Sequence, residues 1–205
     1  MSCAPWTPWP GAFYSPELND SPDSNEEIAT VAIVDFIRTI PDFPKAGIQY
    51  RDITTLLSDP EGLRQAIDAI VDHYKDKEIS CVAGIEARGF LFGTAVAYKL
   101  GLGFVPMRKS GKLPGETIGM SYQLEYGEDR LEIHRDAIDS GANVLLIDDL
   151  IATGGTAEAA VKLIQKIGAN IAGCCFVIDL PDLGGMKRLR AMGIECFALC
   201  EFEGD

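Results

Sequence analysis

The chain is predicted to be an α/β protein with a central, mainly parallel sheet flanked by helices on both faces, and three observations predict it. From about residue 80 onward, short apolar runs alternate with segments of helical periodicity. One run, Val144 to Ile147, is continuously apolar, as expected of a strand buried on both faces. At 205 residues, with 47% hydrophobic and 24% charged residues, the chain can bury one substantial core.

Residues 1–25 hold five of the eleven prolines (Pro5, Pro8, Pro10, Pro16, Pro22) among Ser, Asn and Asp, and are expected to be an irregular extension. Trp6, Trp9, Phe13 and Tyr14 are unusual for such a tail and suit docking on the body or on a neighbouring subunit. Residues 26–205 are expected to form a single domain. A helix is predicted from Asn25 or Glu26 to about Arg38, with Ile33, Phe36, Ile37 and Ile40 on one face, and a second over 60–77 with Leu63, Ile67, Ile70, Val71 and Tyr74. Alternation follows: strand 80–85, helix 89–100, strand 103–107, then strand 143–148, helix 155–167, strand 171–178, helix 183–192 and strand 194–199. There is no internal repeat.

Eighteen basic against 31 acidic residues give a net charge of −13. That balance argues against nucleic acid or an anionic membrane as partner, both of which need excess Lys and Arg. No apolar run approaches a membrane span and no signal peptide is evident, so a cytoplasmic protein is expected. The six cysteines show no CxxC spacing and mostly lie in apolar runs, as buried reduced thiols do. His73 and His134 have no partner at ligand spacing, so a zinc site is not expected; His73 reads as helical and His134 as part of a polar edge strand.

Residues 144–156, VLLIDDLIATGGT, carry the densest chemistry. The apolar run ends in Asp148 and Asp149, placed where open α/β sheets bind ligands. Gly154 and Gly155 permit a tight path on which several backbone N–H groups face one anion, Thr153 and Thr156 add hydroxyls, and a helix N-terminus follows. A Gly-Gly turn by itself is an ordinary strand–helix connection. Two acids ending a buried strand are costly without a ligand, and the whole string describes a site for a phosphorylated sugar.

Three further segments contribute. In GIEARGF, 84–90, Arg88 beside Gly89 can fork onto phosphate oxygens. In 108–126, Arg108, Lys109 and Lys112 lie among glycines and a proline, a loop suited to moving over a site as a lid. Beyond its tip Tyr122, Leu124 and Tyr126 alternate with polar residues as in a half-exposed strand, so that Glu125 and Tyr126 face opposite sides. In FPKAGIQYRDIT, 43–54, Tyr50 and Arg51 stand between an apolar turn and an Asp-Ile-Thr stretch; singly, Tyr50 is more readily a core aromatic than a base-stacking residue.

Taken together, FPKAGIQYRDIT, GIEARGFLFG (84–93), RKSGKLPGET (108–117), YQLEYG (122–127), VLLIDDLIATGGT and VIDLPDLGG (177–185) resemble the adenine phosphoribosyltransferases of the type I phosphoribosyltransferase superfamily. The resemblance covers about residues 28–202 and leaves the N-terminal extension unmatched. It implies the type I fold, with a small hood from the N- and C-terminal segments and a flexible lid hairpin. It implies transfer of phosphoribosyl from 5-phosphoribosyl pyrophosphate (PRPP) to adenine, giving AMP and pyrophosphate, in a homodimer. Mg²⁺ would be the cofactor, held by PRPP and water rather than by assigned protein ligands.

By position, the loop Ala152, Thr153, Gly154, Gly155 and Thr156 would hold the 5′-phosphate, and Asp148 and Asp149 would face the ribose hydroxyls. Arg88, Lys109 and Lys112, with Arg108 approaching as the lid closes, would serve the diphosphate. Adenine would lie between Tyr50 and Leu180, beside the backbone near Arg51, with Glu125 as the catalytic group at the purine. A cis peptide is expected at Glu86–Ala87. The alternatives are another phosphoribosyltransferase (hypoxanthine, guanine, xanthine or orotate), against which the EARGFLFG and LEYG segments argue, and a non-catalytic PRPP-sensing regulator, which should carry an added basic nucleic-acid-binding element.

Overall fold

The computed structural model describes residues 32–124 and 127–204. The extension 1–25, the start of the helix predicted from Asn25 or Glu26, and the pair Glu125 and Tyr126 lie outside the described residues.

At the beginning of the described chain the structure departs from the predicted helix. Ile33–Phe36 is a single 3-10 turn, and Arg38–Pro41 (β1) pairs antiparallel with Gln49–Asp52 (β2). Pairing with a distant segment overrides the local period. Arg38 Nη2 lies 2.5 Å from Asp52 Oδ2, and Thr55 Oγ1 donates to Phe36 O at 2.6 Å. The Arg38 amide donates to Thr55 Oγ1 at 3.2 Å, which fastens the small hairpin to Thr54–Ser58 (α1). The next helix, Pro60–Tyr74 (α2), begins where expected: Asp59 accepts from the amides of Glu61 and Gly62, and Pro60 fills the first turn. It ends at Tyr74, short of residue 77.

The main sheet has seven strands in the order β5-β6-β4-β3-β7-β8-β9. Cys81–Ile85 (β3), Gly103–Lys109 (β4), Asn143–Ile151 (β7), Asn170–Asp179 (β8) and Cys196–Glu201 (β9) run parallel. Thr117–Leu124 (β5) and Gly127–His134 (β6) form an antiparallel hairpin added at the β4 side. This is the predicted fold class. Gly89–Leu100 (α3) packs with α2 over one face, around Ile70, Phe92, Leu145 and Val177. Gly155–Ile167 (α4) and Gly185–Ala191 (α5) cover the other, around Leu146, Val161, Phe176 and Leu189.

Three expectations need correction. The loop at the start of 108–126 is shorter than expected: β4 continues to Lys109 and β5 starts at Thr117, because β5 and β6 pair along eight residues from Thr117↔His134 to Leu124↔Gly127. His134 is on an interior strand, since β6 lies between β5 and β4, and its Nε2 is 2.6 Å from Pro114 O. The strand carrying the acid pair does not stop there. It stays paired to β8 as far as Ile151↔Asp179, so Asp148 and Asp149 lie just inside its end.

The chain passes from β3 through α3 to β4 on one side, and from β7 through α4 to β8 on the other. Strand order therefore reverses between the adjacent strands β3 and β7, and such reversals open a crevice at the carboxyl ends of the strands.

Candidate active site

The crevice is a cleft of about 380 Å³, lined by Ile85 to Arg88, by Lys109 and Tyr122, and by the continuous run 148–157. Arg88, Lys109, Asp148, Asp149, Ala152, Thr153, Gly154, Gly155 and Thr156, all singled out from the sequence, are thereby brought to one place.

Asp149 is buried, and its Oδ2 is 2.5 Å from Arg88 Nε, so the guanidinium and the acid hold each other across the β3–β7 step. Asp148 Oδ1 accepts the Asp149 amide at 2.9 Å. Burial, followed by the neighbouring Asp149 charge, pushes the Asp148 carboxyl well above the usual carboxylate range. The start of α3 presses close to this strand. A Cβ on Gly89 would stand 2.7 Å from Ile147 O and 2.9 Å from Asp148 Oδ1, so only glycine fits beside Arg88. The Glu86–Ala87 peptide just before it is cis.

Gly154 turns the loop into α4 with φ +78°, a conformation that suits glycine. Its Cα side faces Gly185, the first residue of α5. A Cβ on Gly185 would lie 2.4 Å from Ala152 O, and the Gly185 amide donates to that same oxygen at 3.0 Å.

On the hairpin side, Lys109 Nζ is 3.0 Å from Asp129 Oδ2, and Tyr122 Oη donates to the same carboxylate at 3.3 Å. The Lys109 contact, chiefly a hydrogen bond, holds the Asp129 carboxyl below its ordinary value. Arg108 is placed otherwise than expected. Its guanidinium makes a two-pronged pair with Glu86, at 2.8 and 3.0 Å, and donates to Lys112 O at 3.0 Å, pinning the hairpin to the β3–α3 turn instead of lining the cleft. Lys112 is exposed on the turn.

The residues expected around a purine are not gathered in the cleft lining. Tyr50, on β2, meets the Phe43 ring edge-on at 5.2 Å, and its hydroxyl is 3.4 Å from Arg88 Nη1, a direct link to the cleft. Arg51 turns to Thr39 Oγ1 (2.6 Å), to the carbonyls of Glu203 and Gly204, and to the Phe202 ring. Leu180 donates its amide to Ile151 O at 3.1 Å, at the foot of the 152–156 loop.

Four contributors escaped the sequence reading. Glu86 and Gly185 stood inside segments already marked, EARG and LGG, where an acid two residues before an arginine and a second consecutive glycine were available signals. Tyr122 lies on the buried side of its half-exposed strand, and what the alternation does not tell is that this side faces the cleft. Asp129 had no local signal at all.

Residues 52–196 match the model of the phosphoribosyl transferase domain family. The chain is 64% identical over 172 residues to the adenine phosphoribosyltransferase of Parvibaculum lavamentivorans, which spans 84% of this chain and 98% of that one. The chain belongs to the adenine phosphoribosyltransferase family. Solved adenine phosphoribosyltransferases agree in fold. The Rhodothermus marinus enzyme superposes with a TM-score of 0.78 at 49% identity, covering 83% of this chain and 96% of its own. The Saccharomyces cerevisiae enzyme, solved with an imino-altritol bisphosphate and adenine, has a TM-score of 0.78 at 40% identity and covers 82% and 96%.

Proposed function

We propose that this chain transfers the 5-phosphoribosyl group of PRPP to adenine, releasing AMP and pyrophosphate with Mg²⁺, as a step of purine salvage. One observation carries the reading. A single strand–loop–helix segment presents two carboxylates and then an anion-binding loop to the same cleft that Arg88 and Lys109 enter.

In this reading the amides and hydroxyls of 152–156 hold the 5′-phosphate at the N-terminus of α4. Asp148 and Asp149 face the ribose diol. Arg88 and Lys109 exchange their present carboxylate partners for diphosphate oxygens as the C1′–O bond breaks, stabilising the charge that leaves. Adenine N9 forms the new bond to C1′ and loses its proton, and Glu125 is the group assigned to the purine, holding its reactive tautomer or taking part in that transfer.

Among the described residues no group of three or more His, Cys, Asp or Glu side chains could cage a metal. Two cleft carboxylates beside phosphate-binding groups fit Mg²⁺, which keeps several waters and commonly takes its remaining ligands from one or two acids and substrate phosphates. Bound with the diphosphate, the ion would neutralise developing charge on the leaving group.

A homodimer belongs to the proposal. It is supported by the apolar groove between α2 and α3, where Leu91 is 51% and Tyr98 85% exposed; light scattering measures it. Among the described residues no helix is long and apolar enough to cross a membrane. The five cysteines described are free, which supports a reducing, cytoplasmic setting.

The test is product formation from PRPP and Mg²⁺ with adenine, hypoxanthine, guanine, xanthine and orotate in turn. AMP formation with a preference for adenine of about 10⁴ over the oxo-purines is expected, since a site built for an exocyclic amine leaves buried groups unpaired with a carbonyl. Comparable turnover of hypoxanthine would move the chain to another purine branch. No turnover with any base would favour a PRPP-binding regulator.

A further inference from the structure

The phosphate loop is held from behind in a regular way. Three consecutive carbonyls, those of Ile151, Ala152 and Thr153, accept from the segment that follows β8: Leu180 N at 3.1 Å, Gly185 N at 3.0 Å and Arg188 Nη1 at 3.4 Å. A trans peptide points its N–H opposite to its C=O. Carbonyls turned towards 180–188 therefore send the next amides the other way, as an anion-binding loop requires.

Two of the three donors are backbone groups fixed by the fold. The third is a side chain. Arg188 Nε also pairs with Glu158 in the first turn of α4, and Lys162 Nζ is 2.5 Å from the other oxygen of that carboxylate. One guanidinium thus bridges both ends of the Thr153–Glu158 segment from a helix, α5, that lines no part of the cleft.

We infer that Arg188 is a positioning residue for phosphoribosyl transfer: it holds the Thr153 carbonyl away from the cleft and so keeps the 152–156 loop in its phosphate-binding shape. The inference rests on the proposed reading of that loop as the 5′-phosphate site. It requires no contact between Arg188 and the substrate. Arg188 is half-exposed, and Glu158 keeps Lys162 as a partner when the guanidinium is removed, so its role should appear in substrate affinity more than in folding.

The experiment compares wild type, Arg188→Gln, Arg188→Lys and Glu158→Gln by steady-state kinetics, by titration with ribose 5-phosphate as the phosphate-loop probe, and by thermal unfolding. Arg188→Gln is expected to raise the KM for PRPP and the Kd for ribose 5-phosphate about tenfold, the size of a lost charge-assisted hydrogen bond. Turnover should stay within about twofold and the adenine KM should not move, as expected when a ground-state binding interaction is lost. Arg188→Lys should recover part of the loss, and Glu158→Gln, which removes the guanidinium's anchor, should shift PRPP affinity in the same direction. The thermal midpoint should change by less than about 3 °C.

Unchanged PRPP and ribose 5-phosphate affinities in Arg188→Gln, with wild type binding both, would overturn the inference alone. So would a fall in thermal midpoint in Arg188→Gln and Arg188→Lys alike, with both substrates' KM values raised together. Failure of wild type to bind ribose 5-phosphate would overturn the reading of the loop, and the inference with it.

Discussion

The groups that face PRPP in the proposed reaction come largely from one stretch of nine residues, 148–156, whereas those proposed for the base, Tyr50, Arg51, Glu125 and Leu180, are scattered along the chain. The first set is already assembled. Its acids, glycines and threonines line a single cleft, with α3 pressed against the strand at Gly89 and α5 against the loop at Gly185. In the second set as described, Arg51 is engaged with Thr39 and the C-terminal carbonyls, while Tyr50 and Leu180 each reach a single cleft residue, Arg88 and Ile151. On the proposed assignment, a phosphate and a diol are met by local geometry, while base recognition draws on segments far apart in the chain.

Removing charge from the preformed half should have the largest effect. Replacing Asp148 and Asp149 together with Asn is expected to leave the fold intact and lower kcat/KM about 10²-fold or more. Activity within a few-fold of wild type would break the comparison.

Crowding the loop comes next. Gly185→Ala places a Cβ against Ala152 O, and should raise the PRPP KM about tenfold and cost about 1–3 kcal/mol in denaturant unfolding. Gly103→Ala, with nothing within 4 Å of the added carbon, is the control expected to do neither. Equal behaviour of the two would remove the argument for close packing behind the loop.

In the base half, Arg51→Gln should raise the adenine KM a few-fold, on the order of one hydrogen bond, and leave the PRPP KM unchanged. An effect on PRPP instead would merge the two halves.

Two carboxylates sharpen the contrast at smaller magnitude, because their pH dependences have opposite signs. Asp52, in the β1–β2 hairpin, is lowered from 3.8 to about 2 by hydrogen bonds from Arg38 and Thr54. A lowered folded value means stability that is present above about pH 4 and lost as pH falls towards 2. Asp52→Asn should therefore lower the thermal midpoint at pH 7. Asp148 is raised by burial and by Asp149, so its ionised form opposes folding above its folded value, and stability returns as acid protonates it. Asp148→Asn should raise the midpoint at pH 7, with the gain shrinking towards pH 4. Midpoints that move in the same direction at pH 7 would contradict the opposed environments.

The same contrast decides what was legible in the sequence. The parallel core strands and α2 to α4 follow from apolar runs, caps and glycine turns that act within a few residues, and so does the acid–loop segment. Ile33, Phe36, Ile37 and Ile40 fit a helical period, but Arg38–Pro41 gains more by pairing with Gln49–Asp52. The Arg108–Glu86 pair joins residues 22 apart in sequence, and the reach of Asp129 to Lys109 and Tyr122 exists only once the hairpin has formed, so neither has a local signal. Local chemistry was readable; contacts that need the finished sheet were not.

A crystal structure of the chain soaked or co-crystallised with PRPP and Mg²⁺ tests the central claim most directly. The 5′-phosphate is expected within hydrogen-bond distance of the 152–156 amides, the Asp148 and Asp149 carboxylates facing the ribose hydroxyls, and the diphosphate on the Arg88 side of the cleft. A 5′-phosphate bound away from this loop, or a ribose that leaves both carboxylates without contact, would contradict it.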